Sequence, residues 1–317
     1  MKKHFIKGAL ISGLLLTSNA VLIDPVNAQV QTSSQVTFQQ AYKQGEVFSE
    51  KILTYYRAVE AGDIEKINHL YDDFTSDLKK IEQTIGKVPG YQNRKNLQRW
   101  FVHPAKVDIE RTIYEVSQYR LLDKVTDKVE EDQLEAAESL LDKLDRLKKR
   151  GKEIKQTTGY KSLPRQIYND LYLKETVTQG HLVTAYTKKY KTIIDSGNLP
   201  LLNDSFLQLR SSMKQMDLLI GQIPNANTRK KFGEEIVRPA KLQLERTRYE
   251  ISQYQLMETI KNDLITNGSK EQYEEQMAML QPLKARTEEK NQSGTYEAVP
   301  QIEKALRKYE QTLQATE

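Results

Sequence analysis

The chain has 317 residues, 48 Lys and Arg against 43 Asp and Glu for a formal charge of +5, and no cysteine. The missing cysteine excludes disulfides, thiolate metal sites, a cysteine nucleophile and lipid attachment at a cleavage-site cysteine. Both signs of charge are interleaved along the chain, as on solvated helices, which argues against a nucleic-acid binder with its concentrated basic stripe.

Residues 1–28 read as a signal peptide. Lys2, Lys3 and Lys7 precede an apolar run from Gly8 to Ile23, interrupted by Ser18 and Asn19, and Val26 and Ala28 supply the small residues ahead of Gln29. Three lysines and one aspartate fall in that segment, so the remainder carries about +3. No later stretch approaches the roughly 18–20 apolar residues of a membrane span, so no membrane insertion is expected after signal removal. The expected protein is secreted and extracellular, with a flexible segment at 29–37. The final residues, TLQATE, carry no sorting signal, so retention at the cell would have to be non-covalent.

The rest is all-α by periodicity. Ile64, Ile67, Tyr71, Phe74, Leu78, Ile81 and Ile85 recur three and four apart, and Leu202, Phe206, Leu209, Met213, Met216 and Ile220 repeat that pattern 135 residues later. Gly62-Asp63 and Gly197-Asn198 each pair a helix-ending glycine with an N-cap residue. Gly86…Pro89 and Gly221…Pro224 close the next helix, and Asn93 and Thr228 stand where caps of a third helix starting near 94 and 229 belong. A fourth helix is expected from about Glu131 to Lys155 with Leu140, Leu144, Leu147 and Ile154 on one face, matched later by Met277, Leu280 and Leu283.

The chain is written twice. From Gly86 to Leu122, 17 of 37 positions are identical to those 135 residues on, and PAKVDIERTIYEVSQYRL at 104–121 returns as PAKLQLERTRYEISQYQL at 239–256. One extra residue near Gly268 moves the register to +136, pairing Tyr160 with Tyr296 and Pro164 with Pro300 before +135 returns. Ile302, Leu306, Tyr309 and Leu313 repeat the start of the helix after Pro164. The predicted architecture is elongated tandem helical bundles, 38–164 and 165–317, sharing a long helix at 165–195, with a truncated closing helix at the end. Thr176-Val177-Thr178 and Gly180 are poor helix formers, so a bend or break is expected there.

The repeated stretch admits two readings. Pro104 and Pro239 fall about ten residues into a helix and cost it a hydrogen bond, which predicts a kink or a fresh start. Beyond them Arg111 and Glu115, like Arg246 and Glu250, are four apart and placed to pair along the helix. Tyr114 and Gln118, with Tyr249 and Gln253, complete a polar set at the edge of the core-facing seam, on which Tyr119 and Tyr254 lie. It serves either as a network that fixes bundle register or as a ligand site present twice.

Catalytic signatures are lacking. Beyond the leader the histidines are His69, His103 and His181, none in a HExxH pair, and no nucleophile elbow, phosphate loop or dinucleotide fingerprint occurs. Carboxylates alternate with lysine, and none stands out as an acid/base couple. No enzyme activity, cofactor or metal is expected. Trp100, the single tryptophan, follows Arg94, Lys95 and Arg99 and is replaced by Glu235 in the second copy, so it is expected on the surface. It would stack on a sugar or partner, or lie half covered by the Gly90-Tyr91 loop.

The run from Ala61-Gly62-Asp63 through Leu70-Tyr71, then Gly86, Arg94, Leu97, Phe101, Pro104-Ala105, Arg111 and Tyr114-Glu115, resembles the helical N-terminal region of SbsC-type S-layer proteins. The resemblance implies triple-helical bundles joined by long shared helices and non-covalent binding to a secondary cell-wall polysaccharide of a Gram-positive envelope. The surfaces of such domains are rich in Lys, Arg and Tyr, which singles out Arg94, Lys95, Arg99, Trp100 and His103, with Arg229, Lys230, Lys231 and Arg238 in the second copy. The chain departs from the family in ending after two bundles, without the sandwich-like domains expected for building a lattice. A structural or protein-interaction spacer is the alternative function, with a protein partner in place of the polysaccharide. A secreted helical toxin is a third, against which stands the lack of an apolar hairpin.

Overall fold

The computed structural model describes residues 36–267 and 270–315, and the side chains of 264–272 are outside the description. The expected signal peptide 1–28, residues 29–35 and the register shift near Gly268 therefore lie outside the described residues. The described unit runs from Val36 and is all-α: among the described residues there is no strand.

Helix α1 (Phe38–Ala61) begins in a capping box, with Thr37 and Gln40 each satisfying the other's backbone N–H. It ends at Gly62, whose φ of 76° supplies the left-handed cap, and Asp63 then caps α2 (Ile64–Gly86) by accepting from Lys66 N at 2.9 Å. Gly197 and Asn198 do the same between α6 (Arg165–Ser196) and α7 (Leu199–Gln222). These boundaries fall where the sequence places them.

The third helices start earlier than expected. α3 (Tyr91–Leu97) follows Gly90, and α8 (Ala226–Phe232) is capped by Asn225, which accepts from Thr228 N at 3.1 Å. Asn93 is thus not a cap, its amide donating instead to Pro89 O, and Thr228 is the capped residue. Each short helix then passes through a π-helical turn, Gln98–Val102 or Gly233–Val237, into α4 (His103–Glu130) or α9 (Arg238–Asn267). His103 N bonds Gln98 O, and Arg238 N bonds Gly233 O, five residues back. The π-turn, with its extra residue, answers the proline problem: the helix widens just before Pro104 and Pro239 instead of breaking.

The fourth helix, α5, spans Leu134–Thr158, because Asp132 takes a φ of 58° and holds Glu131–Gln133 in a turn. Its counterpart is split into α10 (Lys270–Ala278) and α11 (Leu280–Gln292). Pro282 lies in the first turn of α11, where its missing N–H costs least. α12 (Pro300–Gln314) follows.

Helix α6 is continuous, contrary to the expected bend at Gly180. That glycine serves packing: a Cβ there would sit 2.6 Å from Ile236 Cδ1. At the equivalent position, a Cβ on Gly45 would run into the Phe101 ring. Each glycine admits the bulky side chain of a π-turn against the facing helix.

Two hydrophobic cores share α6. Ile167 and Leu171 join Phe48, Tyr55, Ile67, Phe74 and Val116 in the first core. Leu182, Tyr186, Tyr190 and Ile194 join Leu202, Met216, Ile251 and Ile302 in the second. Val125, Leu134 and Ala137, at the α4–α5 turn, belong to the second core as well, so the end of one helical hairpin is seated against the second half of α6.

Candidate functional site

The repeated polar residues make contacts between helices, and the expected pairing along one helix is absent. Arg111 turns away from Glu115: its guanidinium donates to Asp108 (3.0 Å), Glu60 (3.1 Å) and Lys161 O (3.1 Å). Arg246 likewise donates to the carbonyls of Glu297 (2.9 Å) and Ala298 (3.0 Å) and pairs with the Glu297 carboxylate. Both arginines thus hold down the loop that leads into the closing helix, α6 or α12. Lys161 and Arg111 hold the Glu60 carboxyl below its ordinary range, whereas burial pushes Asp108 up.

Glu115 and Glu250 pair with lysines of the neighbouring helix instead, Lys155 and Lys290. Burial raises both carboxyl pKa values, and the lysines offset part of that rise. Gln253 donates to Thr287 (2.8 Å), and Tyr114 packs over Gly151. Lys174 lies 4.1 Å above the Tyr119 ring, Arg248 and Arg286 approach Tyr249, and Tyr254 meets Tyr309. Lys148–Glu175 and Lys284–Glu310 form a further equivalent pair, at 2.5 and 2.6 Å. A groove of about 490 Å³ borders Glu115 and Gln118, and of the charged groups that line it Glu115 pairs with Lys155 and Lys148 with Glu175. These contacts tie neighbouring helices and loops to one another.

The basic cluster separates into two kinds of residue. Arg94 is partly buried and donates to Val88 O at 2.9 Å, and Arg229 donates to Ile223 O and Pro224 O at 2.6 and 3.0 Å. These arginines close the loop before their helix. Lys95, Arg99, Trp100 and His103 are exposed. Lys95, Arg99 and His103 are four residues apart through the π-turn, whose wider pitch keeps that spacing close to one face. Trp100 is 47% exposed and meets Tyr42 edge-on, with ring centroids 6.0 Å apart. Tyr42 in turn stacks on Phe38 (6.2 Å) and meets Phe101 (5.7 Å). Tyr91, 70% exposed, lies under Lys95. Sequence reading missed Tyr42 and Phe38, because nothing in the α1 pattern marks them as neighbours of a residue sixty positions away.

The second copy lacks this surface. Lys230, Lys231 and Arg238 are exposed there, but Glu234 and Glu235 replace Arg99 and Trp100, Lys230 pairs with Glu234 at 3.8 Å, and Val177 replaces Tyr42. The exposed aromatic surface belongs to the first copy. Among the described residues no group of His, Asp and Glu could hold a metal, and no helix is long and apolar enough to cross a membrane.

Residues 23–106 match the family model described as the SbsC C-terminal domain. The match supports an SbsC-type relationship over that stretch, and its description names a C-terminal domain where the sequence resemblance pointed to the N-terminal region. Searches of curated proteins and of solved structures returned no match.

Proposed function

We propose that the chain is a non-catalytic, S-layer-related module of the cell surface that holds a secondary cell-wall polysaccharide. Trp100 carries the reading: a ring half open to solvent, steadied edge-on by Tyr42, with Lys95, Arg99 and His103 beside it. An aromatic face held this way suits the apolar face of a sugar ring, and the flanking cations suit hydroxyls and acidic substituents. The SbsC-type match supports the cell-surface setting, and all of these residues lie within it. Export through the 1–28 leader is part of the same proposal. The test is pelleting of the protein with purified Gram-positive wall sacculi, with and without their polysaccharide removed. Pelleting is expected only with the polysaccharide present; equal pelleting on both, or none on either, overturns the reading.

A further inference from the structure

A cleft of about 250 Å³ lies between α9, α11 and α12. The buried Met257, Leu280 and Leu306 supply its apolar lining, and Gln253, only 6% exposed, lines it as well. The orientation of the Gln253 amide is set by Thr287, whose hydroxyl donates to Leu283 O (3.2 Å) and so accepts from Gln253 Nε2 (2.8 Å). Gln253 Oε1 is left with no partner among the described residues. Asn291, also on the cleft, is fixed in the same way: its Nδ2 donates to Glu303 Oε1 at 2.9 Å, and its buried Oδ1 has no partner. Lys284 is paired with Glu310 at 2.6 Å, and of the other charges on the cleft Glu288 and Glu303 outnumber Arg307. The cleft is rich in acceptors and short of donors.

The first copy shows what is missing. In its equivalent groove Gln118 and Lys148 stand where Gln253 and Lys284 do, but Lys152, Lys155 and Tyr168 occupy the positions of Glu288, Asn291 and Glu303. The Lys155 ammonium pairs with Glu115, donates to the Tyr168 hydroxyl at 2.6 Å and lies 4.6 Å from the centre of that ring. In the second copy Glu250 pairs instead with Lys290, one residue earlier on the helix. Position 291 is then a shorter, uncharged side chain, and a carboxylate replaces the tyrosine. We propose that this cleft binds an organic ammonium ion, a primary amine on a short carbon frame, in the place that the Lys155 side chain fills in the first copy. An ammonium carries three N–H donors, and Gln253 Oε1, Asn291 Oδ1 and the Glu303 carboxylate are three acceptors, the last giving a charge-assisted bond. The carbon frame covers the apolar lining. Two sources carry this chemistry, an amino sugar and the side chain of a lysine-type residue in a peptide. The cleft shares no residue with the Trp100 surface, so the proposal does not rest on polysaccharide binding there.

Calorimetric titration of the purified full chain tests it, with glucosamine and Nα-acetyl-lysine amide as the amine probes and N-acetylglucosamine as the neutral control. Saturable binding of an amine is expected, with a Kd of about 1 mM or tighter, and none of the control. Binding of glucosamine alone identifies the amino sugar, and binding of the lysine amide alone identifies the peptide side chain. Asn291→Lys restores the lysine of the first copy and should weaken amine binding by about tenfold or more. Glu303→Gln, which removes the carboxylate charge at a partly exposed position, should do the same, and thermal melting checks that both variants are folded. Trp100→Ala should leave amine binding unchanged. No saturable binding of either amine up to about 10 mM, equal binding of N-acetylglucosamine, binding unaltered by Asn291→Lys or by Glu303→Gln, or its loss in Trp100→Ala overturns the proposal.

Discussion

The Tyr55 hydroxyl lies 2.7 Å from that of Thr112 in the first core, and Tyr190 and Thr247 repeat the contact at 2.5 Å in the second. Thr112 spends its own proton on Asp108 O at 2.8 Å, as Thr247 does on Gln243 O, so each tyrosine is the donor in its pair. Burial raises both phenol pKa values and keeps that donor in place. Tyr55→Phe removes one hydrogen bond and leaves the threonine still bonded to its helix, so a loss of about 1 kcal/mol is expected. Tyr190→Phe should cost a similar amount, and the double variant should sum the two because the cores are separate. Urea unfolding measures all three; a double variant far from additive would mean that the two cores are coupled at these positions.

Gly45 and Gly180 give the opposite of the usual result for a helical glycine. Alanine ordinarily stabilises a helix interior by about 1 kcal/mol. Here the added methyl meets the Phe101 ring or Ile236, and overpacking of this kind costs about 1–3 kcal/mol. Gly180→Ala is expected to lower the melting temperature, and Ile236→Val, which deletes the clashing Cδ1, to recover part of it. A Gly180→Ala protein more stable than the parent would remove packing as the reason for the glycine.

These positions show what the sequence could and could not tell. The Gly62-Asp63 and Gly197-Asn198 boundaries and the apolar stripes were legible because each depends on neighbours within a turn or two. The Gln44-Gly45 and Gln179-Gly180 repeat was visible too, but its meaning was not, since the residues that need the glycines lie 56 positions further on, in Phe101 and Ile236. Arg111 and Glu115 failed for the same reason. Spacing of four permits a pair along the helix, yet Glu60, Asp108 and Lys155 offered both groups partners across or beside it. Arg94 and Arg99 looked alike in sequence, and only the Val88 carbonyl separates a loop clamp from an exposed cation.

Glu250 sets a pH dependence whose sign follows from its burial. Its pKa is raised above the ordinary 4.5, so the folded state holds a proton that the unfolded state releases. The stability it contributes is greatest below about pH 4.5 and declines as pH rises through the folded value. Glu250→Gln removes that slope and leaves the Lys290 ammonium, 5% exposed, without its partner carboxylate. Near pH 4 the parent carboxyl is itself protonated and Gln stands in for it, so the parent's advantage over the variant is expected to be largest there and to shrink as pH rises towards neutrality. Groups shifted downward, such as Glu60 and Asp77, give the opposite slope, but they are common to both proteins and cancel in the difference. Urea unfolding from pH 4 to 8 measures it; a gap that widens with pH would contradict a raised pKa.

Arg94 and Arg99 separate fold from recognition. Arg94→Ala strips Val88 O of its guanidinium partner and should lower stability by about 1–2 kcal/mol, with any loss of wall binding secondary to that. Arg99→Ala and Trp100→Ala change exposed side chains and should leave stability within about 0.5 kcal/mol of the parent. In sacculus pelleting, Trp100→Ala should weaken binding by about tenfold or more, because an aromatic stacking face is lost, while Trp100→Tyr retains part of it. Glu235→Trp in the second copy tests the same geometry from the other side. Without a tyrosine at position 177 to steady the ring, and with Glu234 in place of arginine, the added tryptophan should not raise affinity. If it does, an exposed indole alone is enough, and the Tyr42 contact and the flanking cations of the first copy are not what makes the surface selective.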